Sequence, residues 1–408
     1  MHEGVIFVGE EVCEGFRHPG GEDELEDEAA AADAELESGG RVGVGVGAPL
    51  DVQADDEVAE VAAVESWLTS SSLEYVMAYV ATNLACTNYL YPKLRSPLRT
   101  IITTSIDPME RTQLTKRIAV VTGSNKGIGL EICKQLASNG VTVILTARDE
   151  NRGLKAVQNL KASGLSDVLF HHLDVTNQTS IASLAEFITT KFEKLDILIN
   201  NAGLVGTVVD PEDQSSVEYD MDVLFGPNAK KSKIFKQTFE SAEACLRTNY
   251  YAVKLLTEEL IPLLQLSDSP KIVNVSSTMG KLQFVSNEKA KKILSEIESL
   301  TVEKVDELVK WFHEDCSEDL LEAKGWPINF SAYIVSKAAL NGYTRVMAKN
   351  YPKISINAVC PGSVKTDINY NKGICTVEQG AKGPVMLALM PHGGPSGLFY
   401  FQIEESTF

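Results

Sequence analysis

Tyr333 and Lys337 stand four positions apart in a segment whose pattern predicts a helix. Side chains at positions i and i+4 share one helix face, so the phenol and the ammonium would lie side by side. Close to a lysine charge, a tyrosine hydroxyl loses its proton more readily than its reference pKa of about 10 allows, and it can exchange a proton with a substrate oxygen near neutral pH. Taken alone, this spacing more often marks a packed tyrosine beside a solvated lysine, so other motifs must decide.

A glycine-rich turn lies upstream, between an apolar run and a helical pattern. Residues 118–121 are apolar and lead directly into the sequence TGSNKGIG at residues 122–129, after which Ile128, Ile132 and Leu136 recur on one helix face. Glycines let the backbone approach a pyrophosphate, and the helix N-terminus supplies N–H groups and a positive dipole end. The spacing GxxxGxG differs from the commonest dinucleotide fingerprint, so a tight loop without a ligand is the alternative.

Further motifs follow in a fixed order along the chain. The sequence NNAG occupies residues 200–203, Asn249 lies in a later helical pattern, NVSS occupies residues 274–277, and Pro361-Gly362 follows Tyr333 and Lys337. Together with the glycine turn, these motifs resemble the short-chain dehydrogenases/reductases from about Arg117 to the C-terminus. Within that family the chain is most similar to carbonyl reductase, plant salutaridine reductase and the menthone reductases, which share the NKGIG sequence and long insertions.

The resemblance implies a catalytic set of Asn249, Ser277, Tyr333 and Lys337. Tyr333 would give its proton to the developing alkoxide, and Lys337 would steady the Tyr333 oxyanion and hold the nicotinamide ribose. Ser277 would align the substrate carbonyl by a hydrogen bond, with Ser276 as the competing candidate. Asn249 resembles the residue that keeps a water-linked proton path to Lys337 open, and a helix residue that only satisfies backbone groups is an equal alternative.

The end of the second predicted strand selects the cofactor. NAD-preferring members carry a carboxylate there for the ribose 2′-hydroxyl, whereas this chain has Ala147 and Arg148. Arg148 can bind a 2′-phosphate through two hydrogen bonds, and Lys126 supplies a second positive charge. These two charges favour NADPH/NADP+ over NAD, although two acidic residues directly follow Arg148. By resemblance, the cofactor-binding residues are Gly123, Asn125, Lys126, Gly127, Ile128, Gly129, Arg148, Asp174, Val175, Asn201, Ala202, Gly203, Tyr333, Lys337, Pro361, Gly362, Val364 and Thr366.

Apolar runs of strand length alternate with longer periodic segments from Arg117 onward. This alternation predicts βαβ units and a parallel sheet buried on both faces, so the fold class is α/β, a single Rossmann-type, doubly wound domain with its ligand crevice at the C-terminal strand ends. The predicted strands lie near residues 118–122, 141–146, 168–172, 195–199, 271–275, 354–359 and 398–402. The predicted helices lie near residues 128–139, 151–163, 178–192, 239–265 and 331–350.

Two intervals are too long to be simple connections. The first insertion, residues 204–239, is predicted to form a lid or a specificity wall above the crevice. The second insertion, residues 284–327, carries two helical patterns near residues 289–300 and 302–312. In the reductases that the chain resembles, an insertion here covers the face through which other members oligomerise, so a monomer is expected.

The N-terminal part of the chain has a different composition. Residues 1–66 carry 19 acidic and 2 basic residues, a net charge of −17 within the −19 of the whole chain. Such a segment buries too little apolar surface to offset its chain entropy, so residues 1–108 are predicted to be a low-complexity, disordered extension. Met109 stands where the first residue of a family member would be expected. We therefore expect residues 1–108 to be an extension of the gene model and the domain to span residues 109–408. The alternative is an acidic tail for a protein partner.

Composition excludes several other classes of function. The chain after residue 66 is close to neutral, which gives no basic face for nucleic acid, and residues 67–91 are too often interrupted by polar residues to span a membrane. The acidic N-terminus argues against a signal or transit peptide. Seven scattered cysteines without the spacing of metal ligands indicate free thiols in a reducing compartment, and hence a cytoplasmic location. The pair His171-His172 lies at a strand end rather than at the helical spacing of metal ligands, so no metal site is predicted.

The motifs together predict an NADPH-dependent reductase. The substrate would be a ketone or aldehyde on a small, largely apolar metabolite, terpenoid-like, alkaloid-like or a reactive carbonyl, and the product an alcohol. Some relatives reduce a conjugated C=C bond and lack the tyrosine, so Tyr333 favours carbonyl chemistry. A catalytically idle, dinucleotide-sensing protein on the same fold is the other alternative, and it would need no proton donor.

Overall fold

The structure is a computed structural model that describes residues 116–217, 221–226 and 229–408. Every predicted strand and helix lies within these ranges. The predicted disorder of residues 1–108 and the predicted start of the domain at Met109 lie outside the described residues.

The core of the described part is one eight-stranded sheet. Its order is β3-β2-β1-β4-β5-β6-β7-β8, and every neighbouring pair is parallel except β7 and β8. The strand order reverses between β1 and β4, and such a switch point opens a ligand crevice at the carboxyl ends of the strands. The predicted doubly wound, Rossmann-type α/β sheet is confirmed. The strands are β1 (Ile118–Val121), β2 (Thr142–Ala147), β3 (Val168–His172), β4 (Ile197–Asn200), β5 (Lys271–Val275), β6 (Ser355–Cys360), β7 (Phe399–Phe401) and β8 (Glu404–Ser406).

Helices connect the strands. Most of them begin at a Ser, Thr, Asn or Asp that accepts a backbone N–H bond, as Asp149 does from the Arg152 N–H at the start of α2. The helices are α1 (Gly127–Ser138), α2 (Glu150–Ala162), α3 (Gln178–Phe192), α4 (Met221–Phe225), α5 (Phe239–Leu246), α6 (Ala252–Leu264), α7 (Glu288–Ser295), α8 (Val302–Ser317), α9 (Ser331–Asn350) and α10 (Val377–Leu389).

Apolar side chains cover both faces of the sheet. Alternate residues of one strand serve opposite faces, so Val120 joins the core with Leu256 of α6 whereas Val121 joins the core with Ile132 of α1. Each fully buried side chain of this size contributes roughly 1.5 to 3 kcal/mol relative to its exposed state. The sheet, buried on both faces, therefore fixes where the loops at its carboxyl edge begin.

Three elements differ from the sequence-based expectations. A π turn at Arg247–Tyr251 interrupts the predicted helix 239–265 and separates α5 from α6. The strand β8 is polar and short, and α10 contains Gly380, Gly383 and Pro384, so neither shows the usual pattern. These glycines are required by packing, because a Cβ at Gly380 would lie 2.5 Å from Val364 and one at Gly383 would lie 2.1 Å from the Gln402 carbonyl oxygen.

Both insertions contain regular structure. The first insertion holds a 3-10 turn at Pro211–Ser216, the short α4, and an antiparallel bridge between Val208 and Lys236. The second insertion holds α7 and α8, which pack on α9 where Gly342 lets Leu294 and Leu300 approach the helix. Within the described ranges, no helix is long and apolar enough to cross a bilayer.

Candidate active site

Lys337 is a deeply buried charged group at the carboxyl edge of the sheet. It lies on α9, its side chain is almost fully covered, and its Nζ donates a hydrogen bond to the Val275 carbonyl oxygen at the end of β5, at 2.8 Å. Burial lowers the pKa of the ammonium from 10.5 to about 8. A lysine held in this way is anchored to the sheet edge and exchanges protons close to neutral pH.

Tyr333 lies one helix turn before Lys337 on the same face of α9. Its ring is half-buried and packs against the main core, and the Lys337 Nζ lies 5.8 Å from the ring centroid. The two residues that the sequence singled out are therefore brought together, with the ammonium beside the phenol ring.

The two candidate serines after β5 point in different directions. Ser276 is buried, and its hydroxyl donates to the Asn341 Oδ1 in α9 at 2.6 Å. Ser277 is half-buried, and its Oγ accepts the Met279 backbone N–H at 3.1 Å, which leaves the hydroxyl hydrogen available for another acceptor. The geometry therefore assigns Ser276 to the core and leaves Ser277 as the serine that could donate to a ligand.

Asn249 lies in the π turn and is fully buried. Its Oδ1 accepts the Leu204 N–H at 2.8 Å, and its Nδ2 donates to the Leu204 carbonyl oxygen at 2.8 Å and approaches the Ser336 hydroxyl at 3.0 Å. The amide thus satisfies both backbone groups of the residue that follows the NNAG motif. It ties the first residue of the first insertion to α9.

Gly203 lies between Asn249 and Lys337. A Cβ placed on it would lie 3.3 Å from the Asn249 Oδ1 and 3.7 Å from the Lys337 Nζ. The two side chains therefore flank the same point of the backbone, and a glycine keeps the space between them open. This juxtaposition brings Asn249, Lys337 and the NNAG turn into one site.

The glycine turn forms a close-packed cradle at the N-terminus of α1. Gly123 and Gly127 have positive φ angles of 60° and 57°, which side chains rarely adopt, and a Cβ at Gly129 would lie 2.5 Å from the Asn201 Nδ2. Asn201 donates from Nδ2 to the Thr122 carbonyl oxygen at 2.8 Å, and so holds the turn by its side chain. No side chain caps α1 at Lys126, in contrast to α2 and α3. The first N–H groups of α1 are therefore oriented for an anionic ligand.

The segment after β6 lies against the glycine turn. The Thr366 methyl would be 3.4 Å from a Cβ at Gly127, and Lys126 forms an ion pair with Asp367. This pair lowers the pKa of the Asp367 carboxyl through the Lys126 hydrogen bond and charge. Both side chains are mostly exposed, so the pair is open to exchange with another anion. Asn125 lies in the same turn, and its backbone continues toward α1.

Arg148 and Asp174 lie at neighbouring strand ends on the other side of β1. Arg148 is exposed, and its carbonyl oxygen contacts the His172 Nε2 at 3.0 Å. Burial acts to raise the pKa of Asp174, but hydrogen bonds from Thr176 and the Arg148 charge outweigh it and lower the pKa. Because the Arg148 side chain is exposed, its guanidinium can reach a ligand phosphate.

A tight crevice with no room for a free water molecule lies between β1, β4 and the start of α6. Val175 and Ala202, both predicted cofactor-binding residues, line it together with Thr122 and Asn200. The Asn200 Oδ1 is buried and has no hydrogen-bond partner in the described part of the chain. The predicted adenine residues Asp174 and Val175 are thus adjacent to the predicted NNAG turn.

The Pro361-Gly362 turn directs the chain away from β6. Gly362 has a φ of 85°, and a Cβ there would lie 2.8 Å from the Gln402 Nε2. Val364 is buried and bridges to Cys375, and its carbonyl oxygen accepts the Asn369 Nδ2 at 2.9 Å. The backbone of residues 361–366 is therefore fixed next to the glycine turn.

Three contacts that shape the site were missing from the sequence analysis. The Val275 carbonyl and Asp367 gave no local signal, since each meets its partner only in the fold. Gly280 did give a local signal, because it is a glycine three residues after Ser277. In the structure, a Cβ at this position would lie 2.7 Å from the Lys337 carbonyl carbon. Only glycine lets the turn after Ser277 lie directly on α9.

No cluster of three or more His, Cys, Asp or Glu side chains suited to a metal ion occurs within residues 116–217, 221–226 and 229–408. Five free cysteines lie in these ranges. Burial raises the pKa of both Cys133 and Cys245 to about 12, so their thiols stay protonated and unreactive.

Comparisons with known proteins agree with the motifs. The family model described as short chain dehydrogenase matches residues 117–289 and 323–373. The chain is 54% identical over 295 residues to Short-chain dehydrogenase/reductase 1 of Saponaria officinalis, covering 72% of this chain and 96% of that protein. It is 52% identical over 299 residues to (+)-neomenthol dehydrogenase of Arabidopsis thaliana, covering 72% and 99%.

The fold comparison gives the same result. The solved structure of salutaridine reductase from Papaver somniferum matches with a TM-score of 0.65 and 50% identity, over 70% of this chain and 99% of that one. The family model, the relatives and the solved structure all match the part of the chain that carries the ordered motifs and the sheet. The chain therefore belongs to the short-chain dehydrogenase/reductase family of oxidoreductases.

Proposed function

We propose that this protein uses NADPH to reduce the ketone or aldehyde carbonyl of a small, largely apolar metabolite to an alcohol. The observation that carries the proposal is the Lys337 ammonium, buried at the end of β5 one helix turn from the half-buried Tyr333. A tyrosine beside a lysine whose pKa is about 8 is suited to deliver a proton near neutral pH.

The residues around the crevice fit a nicotinamide dinucleotide, the cofactor that this family uses. The glycine cradle and the uncapped N-terminus of α1 would hold the pyrophosphate, and Asp174 and Val175 after β3 would meet the adenine. The bound dinucleotide supplies the hydride. Arg148 supports NADPH over NADH, since an exposed guanidinium at the end of β2 can bind a 2′-phosphate bidentately. Lys126 would add a second positive charge, because its ammonium would leave the ion pair with Asp367 and bind the phosphate instead.

Each catalytic side chain has a distinct role in this proposal. Tyr333 donates its proton to the carbonyl oxygen as negative charge develops there, and Ser277 donates a hydrogen bond to the same oxygen. Lys337, held on α9 by its hydrogen bond to the end of β5, would stabilise the negative charge of the Tyr333 oxygen and bind the ribose hydroxyls. Asn249 keeps the backbone of Leu204 in place, and the space that Gly203 leaves between Asn249 and Lys337 would hold the water of a proton path.

The apolar character of the substrate is inferred from half-buried apolar side chains in loops and insertions of the domain. Half-buried apolar side chains of both insertions and of the turns after β5 and β6 pack at the edge of the main core. The relatives' names are consistent with this class, since one is a neomenthol dehydrogenase and another a salutaridine reductase. The side chains concerned are Val205, Phe225, Ile234, Met279, Leu282, Phe284 and Tyr370.

Two alternatives keep the same fold. A reductase of a conjugated C=C bond would use the same dinucleotide and needs no Tyr333 hydroxyl at the carbonyl oxygen. A dinucleotide sensor would need the glycine cradle but not a buried lysine, and burying an ammonium costs free energy that a sensor gains nothing from. The Tyr333 and Lys337 pair therefore favours carbonyl reduction.

We further propose that the protein is a monomer in the cytoplasm, with its catalytic domain at residues 109–408. Helix α8 packs on α9 and is tied to the π turn and to α6 by Asp306, which accepts a hydrogen bond from the Tyr250 hydroxyl at 2.7 Å and pairs with Lys254. This packing of the second insertion supports the proposed monomer. Sedimentation at several concentrations tests it, since a mass of two chains would contradict the proposal.

A panel of ketones, aldehydes and conjugated enones, followed by NADPH absorbance and product analysis, tests the proposed function. The expected result is an alcohol product from at least one apolar ketone, with NADPH preferred over NADH. Saturated ketones as the products of the enones, with no alcohol from any ketone, would favour the C=C alternative. Tight NADPH binding without turnover of any compound would favour the sensor.

A further inference from the structure

Asn329 lies four residues before Tyr333 and connects the first insertion to the catalytic helix. Its side chain is buried, with 4% of its surface exposed. Its Oδ1 accepts the Ser232 N–H at 2.8 Å, and its Nδ2 donates to the carbonyl oxygens of Leu224 and Lys230 at 3.0 and 2.9 Å. Both amide hydrogens and the acceptor are thus used on backbone groups of one insertion, 97 to 105 residues earlier in the chain.

A second link joins the first insertion to the first turn of α9. Phe330 at the N-terminus of α9 offers no side-chain cap. Gln237 takes that place, because its Oε1 accepts the Ala332 N–H at 3.0 Å and its amide exchanges hydrogen bonds with the Ser331 hydroxyl. The insertion therefore completes the helix that carries Tyr333.

Aromatic rings from three segments meet at the same place. Phe330 has a φ of 54°, and its ring lies 4.7 Å from that of Phe235 and 6.0 Å from that of Phe225. The Phe225 ring lies 5.6 Å from that of Phe284 in the second insertion. We call Phe225, Phe235, Phe284 and Phe330 the aromatic cluster. A left-handed conformation at a large residue persists only where the surroundings hold it, and here Asn329 and Gln237 fix the backbone on its two sides.

We propose that Asn329 is a positioning residue that sets the aromatic cluster as a wall of the substrate site at a fixed distance from Tyr333. This inference rests on the proposed carbonyl reduction and deepens it, since it assigns the recognition of ring-bearing, apolar ketones to this cluster. The buried amide of Asn329 is spent on backbone groups, so it acts through other residues. It ties the insertion backbone next to Phe225 to the helix of the proton donor, and Phe284 is held through its ring contact with Phe225.

The position of Asn329 separates this role from cofactor binding. The Lys337 Nζ is held by the Val275 carbonyl, and the glycine cradle is held by Asn201, so neither depends on the first insertion. Loss of Asn329 leaves the buried Leu224 carbonyl and the part-buried Lys230 carbonyl and Ser232 N–H without that partner, and the insertion must shift or admit water to satisfy them. The change should therefore appear in the binding of bulky ketones and not in the binding of NADPH.

Asn287 provides a matched control. It is also a buried asparagine with 6% of its surface exposed, its Nδ2 donates to the Lys324 carbonyl oxygen at 2.8 Å, and its Oδ1 accepts the Ala290 N–H at 2.9 Å. Both of these hydrogen bonds lie within the second insertion. Because Asn287 follows Phe284 by three residues, Asn287→Ala removes two buried hydrogen bonds beside the aromatic cluster and leaves every hydrogen bond of Asn329 in place.

The test compares Asn329→Ala and Asn287→Ala with a bulky cyclic ketone and a small acyclic one. For Asn329→Ala we expect KM for the bulky ketone to rise at least about tenfold, the loss that one uncompensated buried hydrogen bond causes, with KM for the small ketone and Kd for NADPH within about twofold. Amide exchange at Ser232 should accelerate in this variant alone. Asn287→Ala should lower the melting temperature and leave every KM unchanged.

Asn329→Asp is the second variant, for use if Asn329→Ala does not fold. It keeps the oxygen that accepts the Ser232 N–H and loses the N–H groups that donate to Leu224 and Lys230. The same KM split is expected of it. Equal KM values in the folded Asn329 variant and in Asn287→Ala overturn the inference. Failure of the wild-type protein to reduce any ketone would instead overturn the proposed function, and the Ser232 exchange rate would still report whether Asn329 holds the insertion.

Discussion

Replacing Lys337 with methionine is expected to abolish turnover and to change how stability depends on pH. Burial lowers the pKa of Lys337 in the folded protein from 10.5 to about 8. Below pH 8 both the folded and the unfolded chain carry this proton. Between pH 8 and 10.5 only the unfolded chain carries it, so the wild-type protein gains stability from this group as the pH rises through that window.

The size of the effect follows from the two pKa values. One pKa unit corresponds to 1.36 kcal/mol, so a pKa of about 8 against 10.5 gives about 3 kcal/mol over the whole window and about 1 kcal/mol between pH 7 and pH 9. Methionine has a similar length and no titration. It leaves the Val275 carbonyl without its donor, which lowers stability by about 1 to 3 kcal/mol at every pH.

Urea unfolding of the cofactor-free protein at pH 7, 8 and 9, followed by tryptophan fluorescence, measures the effect. The free energy of unfolding of the wild type minus that of Lys337→Met should increase by about 1 kcal/mol from pH 7 to pH 9. Lys155→Met, which removes an exposed lysine of α2, should show no such change. A difference that stays constant, or falls with pH, would refute the burial of a charged Lys337.

Three other predictions concern the site and the chain ends. Tyr333→Phe should lower turnover at least about a hundredfold because the general acid is lost, with NADPH affinity nearly intact, and retention of more than a tenth of the activity would contradict its role. Arg148→Ala should raise KM for NADPH at least about tenfold more than KM for NADH in steady-state assays, whereas equal losses would move the phosphate contact to Lys126. A chain shortened to begin at Met109 should fold and reduce carbonyls like the full chain, since every described element follows it, and a clearly lower melting temperature or activity would count against this.

Much of the sheet could be predicted because its strands are short apolar runs bounded by turns. The predicted strands at 168–172 and 271–275 coincide with β3 and β5, and the other strand bounds differ by at most two residues, which is the ordinary uncertainty of helix and strand ends. The strand β8 was missed because Glu404 and Glu405 show no apolar alternation. The helix α10 was missed because its glycines and proline oppose helix formation locally, and contacts with Val364 and Gln402 outweigh that preference.

The site was predictable where a motif is local and was not where the fold brings distant residues together. Tyr333 and Lys337 share a helix face by spacing alone. In contrast, Ser276 and Ser277 are adjacent and chemically identical, and only the bond from Ser276 to Asn341, 65 residues away, separates them. The pairing of Lys126 with Asp367 spans 241 residues, and no local pattern in the sequence indicates it. The hydrogen bonds of Asn329 are of the same long-range kind.

Transfer of deuterium tests the central claim most directly. The protein is given NADPH deuterated at the transferable C4 position and a conjugated cyclic enone, and the product is analysed by mass spectrometry and NMR. Carbonyl reduction with Tyr333 as proton donor predicts deuterium on the new carbinol carbon, and loss of that product in Tyr333→Phe. Deuterium on the β-carbon of a saturated ketone, at a rate that Tyr333→Phe leaves unchanged, would contradict it.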